Sequence, residues 1–389
     1  MLQILIGYNL ILPVVLYIVY LVKIKTNAPR HLVSNNKVMP DYGIIVTAFM
    51  DPSNLPFVVD SILKMNYQKY MVYIVADCCE MDRLKFNDER VIVLTPDSPL
   101  KSNVKSHFYA INHFKRAHER LTIIDSDNLV HPEYLNELNK SFDQGYSAVQ
   151  GVRTAKNLNT NYACLDAARD IYYHFFDGKI IFNIGSSATL AGSGMAFNTE
   201  LYKKCLVEHL DMVGAGFDKI LQSELVARDF QIAFAEKAIV YDEKTTKPDQ
   251  LVKQRARWIN TWFKYFKYGF DLIEKGIAKR NKNQFLFGII LLRPPLFIFL
   301  LLSLGCLIIN LLVNPYYSLI WLVGFILFIA GFLIALYKSD TNPKIYASLS
   351  NIPKFMFYQV ISLLRSNRVN KGPITTKHYS NVSINDKIG

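Results

Sequence analysis

LTIIDSDNLVHPEYL, Leu121 to Leu135, changes character after its fourth residue. Leu121-Thr122-Ile123-Ile124 is an apolar run suited to a buried strand, and Asp125 and Asp127 follow it two residues apart. In an extended segment residues i and i+2 point to the same side, so the two carboxylates repel unless something lies between them. Two readings answer this. Asp127 or Asn128 caps a helix beginning near Pro132. Alternatively, both acids reach one hard cation, Mg2+ or Mn2+, which suits oxygen ligands and uses one or two carboxylates plus substrate phosphates. A calcium loop is excluded, because its fifth and sixth positions would be Leu129 and Val130.

The surrounding pattern sets the fold class. Tyr42 to Phe49 (YGIIVTAF), Tyr70 to Ala76 (YMVYIVA) and Arg90 to Leu94 read as strands. Leu55 to Met65 has helical periodicity after an Asp51–Asn54 turn, and a second helix is expected from about Asn103 to Arg120. Strands alternating with helices predict an α/β domain whose parallel sheet is covered on both faces. Ligands bind such sheets beyond the carboxyl ends of the strands. Asp51, Asp77 and the Asp125/Asp127 pair all stand there.

The 389 residues are 51% hydrophobic and 13% aromatic, and the apolar excess is concentrated in particular places. Leu2 to Val22 carries no charge and is long enough to span a bilayer, which takes ~20 residues. It lacks the features of a cleaved leader and reads as a retained anchor. Pro294 to Val313 and Ser318 to Tyr337 read as two further spans, with Asn314–Tyr317 (NPYY) as the turn between them. Lys23, Lys25 and Arg30 follow the first span. Lys275, Lys279, Arg280, Lys282 and Arg293 precede the second, and Lys338 and Lys344 follow the third. The positive-inside rule places the segment between the first two spans, and the tail, in the cytoplasm, with the N-terminus outside.

The net charge of +12 suits an anionic inner leaflet and an anionic small substrate. Nucleic acid is not expected as a partner, since no base-reading motif is present. The five cysteines show no metal-ligand spacing and fit reduced thiols. His107, His113, His118 and His131 receive no role.

A second cluster, Gly214 to Trp258, contains Asp218, Gln254, Arg257 and Trp258. With Asp77 and Asp125-Ser126-Asp127 it resembles the membrane-bound family-2 glycosyltransferases, the group of cellulose, chitin and hyaluronan synthases. Four features match in order over roughly Tyr42 to Trp258: an aspartate ending the second strand, D-x-D, a later aspartate, and Q-x-x-R-W. The opening motif of that family is replaced here by Thr47 to Asp51, and Phe217 stands where a glutamate usually precedes the later aspartate.

The resemblance implies a GT-A-type nucleotide-sugar-binding domain with a mostly parallel sheet, flanked by transmembrane and interfacial helices. It implies Asp218 as the catalytic base. Asp51, Asp77, Lys105, Asp125 and Arg257 would contact the donor, and Asp127 with Asp125 would hold Mg2+ or Mn2+. Gly192, Ser193, Gly194, Gln254 and Trp258 would lie on the acceptor side. Lys105 reads equally as a solvated helix lysine, Gly192-Ser193-Gly194 equally as a tight turn, and Arg257-Trp258 alone as an interfacial anchor. Glu224 and Asp229 compete with Asp218 as base, although a helix would turn Glu224 away from it.

The implied partners are a nucleotide-sugar donor, a glycan or lipid-linked acceptor, the lipid bilayer, and export or assembly proteins. The expected organisation is an anchor at 1–22, a continuous glycosyltransferase domain at 40–257, interfacial helices at 258–293, two spans at 294–337 and a basic tail at 338–389. Trp258, Trp262, Phe266 and Phe270 recur every four residues with lysines between them, as in a helix lying in the membrane interface. Pro353 to Leu364 is expected to lie on the membrane surface. Lys371 to Ser380 (KGPITTKHYS) is similar to a tail segment of the family, the last residues are expected to be disordered, and Asp242-Glu243-Lys244 is expected as a solvated loop.

Overall fold

The computed structural model describes residues 2–26, 39–81, 84–212, 214–366 and 382–388. Arg30 and the Lys371–Ser380 stretch lie outside them. Two units emerge. The described residues of His31–Asn159, Ser187–Thr245 and Arg368–Gly389 form one around a sheet, and those of Met1–Arg30, Thr160–Ser186 and Thr246–Asn367 form a helical one. Thr160–Ser186 thus belongs with the spans, although the sequence kept it inside a continuous domain.

The sheet unit holds β1 (Tyr42–Phe49), β2 (Tyr70–Asp77), β3 (Val91–Leu94), β4 (Arg120–Asp125), β5 (Leu129–Val130), β6 (Ala148–Ala155), β7 (Met195–Asn198) and β8 (Ile232–Asp242). Their order is β3-β2-β1-β4-β7-β6-β8-β5. β3, β2, β1 and β4 run parallel, and every residue of β2 is buried. Strands buried on both faces need apolar side chains throughout, hence the continuous runs in the sequence.

The sheet is mixed with mostly parallel strands, as expected. β7 runs antiparallel to both β4 and β6, and β5 antiparallel to β8. The helix after β3 is Asn103–Asn112, shorter than expected. β4 must leave it to pair with β1, Tyr42 opposite Arg120. The released loop is tied down by a Lys115 amide donating to the Tyr73 hydroxyl at 2.9 Å and by an Arg116–Asp41 ion pair at 2.5 Å.

The C-terminal residues are ordered where disorder was expected. Ile384 is fully buried against Leu129 and Tyr241, and removing an isoleucine side chain from water offsets part of the cost of ordering a short segment.

Among the described residues of the helical unit, three helices are long and apolar enough to cross a membrane: Leu2–Lys25, Leu296–Val313 and Pro315–Tyr337. Only Asn314 separates the last two. Its side chain accepts from the Tyr316 amide at 3.2 Å, and Pro315 opens the following helix, so the expected four-residue turn shrinks to a cap. Leu10, Tyr172, Phe176, Trp321 and Phe328 share one apolar core. Within it, Arg293 donates to Asp177 at 2.7 Å and to the Tyr172 hydroxyl at 3.1 Å. Asp177 lies in a π-helical stretch, His174–Ile180.

The expected interfacial helix is broken between Pro248–Tyr265 and Tyr268–Ala278. Of the four aromatic residues expected to form its stripe, Phe270 is exposed and Trp258, Trp262 and Phe266 are half-buried. A third helix, Lys282–Leu292, packs closely on the second: a Cβ on Gly276 would lie 2.5 Å from the Phe285 nitrogen. The tail helix, Ile352–Arg365, was expected on the membrane surface, but it buries Phe355 against Leu165 and Leu251. Phe357 and Leu364 remain exposed on it.

Candidate functional site

Parallel register brings the acids of the sheet unit to one edge. Phe49 lies opposite Asp77, and Thr47 opposite Asp125, so β1, β2 and β4 end together. Asp51 follows β1 and accepts from the Ser53 amide at 3.1 Å, closing a short turn. Asp77 is buried, and its two oxygens accept from the Leu100 and Lys101 amides at 3.0 and 2.7 Å.

Asp125 ends β4 and Asp127 lies in the turn that follows; both are half-buried. The Asn128 amide donates to the Asp125 carbonyl at 3.1 Å, closing the turn. The helical cap considered for Asp127 and Asn128 does not form, because β5 intervenes and the next helix begins only at Tyr134. No group of three or more His, Cys, Asp or Glu that could hold a metal occurs among the described residues. Two partly open carboxylates on a turn nevertheless fit Mg2+ or Mn2+ completed by substrate and water oxygens, the usual arrangement for these ions.

Asp218 is the second residue of the helix Phe217–Ala227, where the amide dipoles favour an anion. Gly216 begins that helix at φ +107°, a conformation glycine adopts without strain. Lys219 lies 3.2 Å from the Asp218 carboxylate and also donates to the Leu190 carbonyl at 3.2 Å, tying this helix to the 190–194 loop. Phe217, in the position of the usual glutamate, is buried with its ring centroid 5.0 Å from that of His107. Burial lowers the His107 imidazole to about 3, so the ring is neutral, and it bonds the Tyr202 hydroxyl at 2.7 Å. Glu224 is engaged by Arg228. Lys105 is half-exposed and lies 3.7 Å from Asp211.

Gly192 and Gly194 have φ of +87° and +67°, and a Cβ on Gly194 would lie 2.8 Å from Val240. Ser193 between them is fully buried. Its oxygen accepts from the Asp125 amide at 3.1 Å and the Asn128 side-chain amide at 2.8 Å. Ser193 therefore points at the acidic turn.

Gln254, Arg257 and Trp258 belong to the helical unit, on Pro248–Tyr265. Spacings of three and four put them on one helix face, and all three are half-buried. The guanidiniums of Arg169 and Arg255 lie 4.3 and 4.2 Å from the centre of the Trp258 ring. Arg255 pairs with buried Asp166, and Arg169 with Asp170. Burial, followed by the neighbouring Arg169 charge, lowers Arg255 to about 10.

The sequence profile of Glycosyltransferase like family 2 matches residues 40–261, more than half of the chain. The chain belongs to that family. The sheet of this glycosyltransferase is accordingly a GT-A-like fold. No curated protein sequence matches it significantly. Among solved structures, a mannosyltransferase, PcManGT from Pyrobaculum calidifontis in complex with GDP-Man and Mn2+, is 13% identical at a TM-score of 0.49, covering 94% of this chain and 98% of the other. S. aureus TarS is 15% identical at 0.37, covering 56% and 39%. Its 1–349 portion is 13% identical at 0.40, covering 84% and 89%.

Several polar residues of this glycosyltransferase escaped the sequence reading. Asp242 and Lys244, expected in a solvated loop, are buried and paired at 2.7 Å. Asp242 also binds Arg153, which donates to the Ala191 carbonyl at 2.7 Å. Gln150 is buried, accepting from the Ala191 amide at 2.9 Å and donating to the Ser193 carbonyl at 3.1 Å. Lys156 is buried and donates to the Asp127 carbonyl at 3.4 Å. Burial lowers its pKa, opposed by the nearby Asp127 and Glu243 charges. The one signal available was Gln150, a polar residue within the buried first half of β6, which requires a partner.

Proposed function

We propose that the protein is a metal-dependent inverting glycosyltransferase that extends a β-linked polysaccharide from a nucleotide-sugar donor, UDP-linked, at the cytoplasmic face of a membrane. The observation that supports this most is the common edge of β1, β2 and β4, which gathers Asp51, Asp77 and Asp125 beside the Asp127 turn. In this reading Asp77 accepts from the base, with Asp51 and Lys105 close to the nucleotide. Asp125 and Asp127 hold Mg2+ or Mn2+. Such an ion, when bound, neutralises diphosphate charge and stabilises the departing nucleotide.

Asp218 takes the proton of the acceptor hydroxyl as its oxygen attacks the anomeric carbon. The bond from that carbon to the diphosphate breaks, and its electron pair leaves with the nucleoside diphosphate. One displacement inverts the anomeric centre, so an α-linked donor gives a β-linkage. Arg257 serves the diphosphate as a bidentate donor, and Gln254 and Trp258 serve the acceptor. The basic flanks of the three apolar helices support a cytoplasmic catalytic unit with the N-terminus outside.

A second reading, one sugar added to a lipid-linked acceptor, is favoured by the small number of spans. Three helices are few for a self-made export channel, and the polymer reading then calls on a second copy or an export partner. The deciding experiment supplies purified membranes with a panel of UDP- and GDP-sugars and Mn2+ or Mg2+, measuring released nucleotide and product size. A ladder supports the polymerase and a single glycolipid the single transfer. Absence of turnover with every donor overturns both.

A further inference from the structure

We propose that Ser193, Asn128 and Lys156 are positioning residues for the acidic turn, setting the placement of the Asp125 and Asp127 carboxylates before any cation arrives. This rests on the reading of that turn as a divalent-cation site. The turn runs over four residues, Asp125 to Asn128, and carries its acids at the first and third. Ser193 reaches both ends: one hydroxyl oxygen accepts from the Asp125 main chain at 3.1 Å and the Asn128 side chain at 2.8 Å. Lys156 grips the third residue, its ammonium donating to the Asp127 carbonyl at 3.4 Å. All three side chains are buried, at 0%, 1% and 1% exposure for Ser193, Asn128 and Lys156. None of them is placed to contact a sugar; each is placed to hold the backbone that carries a ligand.

The anchors of these braces are themselves fixed. Ser193 sits between two glycines in left-handed conformation, and the Gly194 amide bonds the Ile123 carbonyl of β4 at 2.9 Å. Lys156 follows β6, its amide bonded to the Asp242 carbonyl at 2.7 Å. A cation with only two protein carboxylates depends on their spacing, because each ångström of misplacement must be recovered by distortion on binding. Outer partners of metal ligands commonly matter for this reason. The same hydroxyl joins the cation turn to the 190–194 loop, and Lys219 joins that loop to the helix of Asp218. The metal side and the base side of the site are thereby built on one framework.

The test is a Mn2+ titration of the detergent-solubilised full chain with saturating UDP, and separately GDP, reading free Mn2+ by electron paramagnetic resonance. Ser193→Ala is expected to raise the apparent Mn2+ dissociation constant by roughly 10- to 100-fold, with acceptor KM unchanged. Asn128→Ala should weaken binding in the same direction, and the double variant should be no worse than the weaker-binding single, since both act through one hydroxyl. Lys156→Met should also weaken binding, while Lys156→Arg, which keeps a donor on a side chain long enough to reach the Asp127 carbonyl, should lose less affinity for Mn2+ than Lys156→Met. Melting temperatures identify any variant that has lost its fold, and the lysine pair then carries the test from the other side of the turn. Parent-like Mn2+ affinity in Ser193→Ala with a raised acceptor KM would overturn the proposal and return Ser193 to the acceptor. Additive serine and asparagine effects, or equal losses in both lysine variants, would also overturn it. If the parent chain binds no Mn2+ with either nucleotide, the metal reading itself fails and takes this one with it.

Discussion

Asp77 in the sheet unit and Asp166 in the helical unit are equally buried, each 3% exposed, but they are held in opposite ways. Asp77 accepts from two backbone amides, of Leu100 and Lys101. Asp166 is paired with the Arg255 guanidinium, with Arg169 3.6 Å away. Amide donors orient a carboxylate and leave its formal charge in place; a guanidinium cancels it. Burying an uncancelled charge is costly, so the first arrangement relies on hydrogen-bond donors alone, the two amides here and, in the proposed reading, a neutral N–H of the base. The second makes sense where the charges hold helices together, as Arg293 and Asp177 also do. Burial alone therefore does not distinguish the two acids, whereas the chemistry of their donors does.

Replacing aspartate by asparagine in each unit sharpens that contrast. Asp218→Asn keeps the shape and removes the proton acceptor. Turnover should fall by roughly 10^2- to 10^4-fold, while nucleotide binding and melting temperature stay at parent values. A variant that still elongates product normally would remove Asp218 from its role.

Asp166→Asn should behave the other way round. It leaves the buried Arg255 without its counter-charge, and losing one partner of a buried pair costs about 3–5 kcal/mol. Denaturant unfolding should show that loss. An unchanged midpoint would make the pair dispensable and break the comparison.

The smallest effect distinguishes the units by pH. Burial holds His107 at about 3, against an ordinary 6.5. Between those values the unfolded chain binds a proton that the folded chain refuses. Stability of the sheet unit therefore falls as pH drops below ~6.5, by about 1.4 kcal/mol per unit, and the slope ends near 3. Arg255, at about 10, stays charged throughout. Hydrogen exchange at pH 7 and pH 5 should show the sheet unit loosening first, and His107→Phe should flatten that difference. An equal response in the His107→Phe chain would assign the slope to other groups.

Much of the sheet was legible because its strands are buried on both faces and must be apolar end to end: β1 begins at Tyr42 and ends at Phe49 as read. The apolar spans were legible for the same reason. β5 was not, being two residues whose pairing with β8 comes from far along the chain. Nor was the reversal of β7, since Met195–Asn198 reads identically in either direction. Ser193 was singled out with its glycine neighbours, as an acceptor-side loop or equally a tight turn; that its side chain faces the Asp125–Asn128 turn was not legible. Lys156 and Arg153 passed unnoticed, and Asn128 was considered only as a helix cap, because a lone polar residue does not announce its partner.

The sequence by itself determined the α/β pattern, the three apolar helices and the acids that follow the strands, all of which are local: periodicity, composition and residue type at a strand end. Only the tertiary structure decided which of these acids share an edge, which buried charges cancel one another, and what stands behind the Asp125–Asn128 turn. Those are matters of register and long-range pairing, where a hydrogen bond joins residues 65 or more positions apart, as Ser193 and Asn128 are. No local pattern encodes such a distance, because the bond exists only after the strands between have been placed.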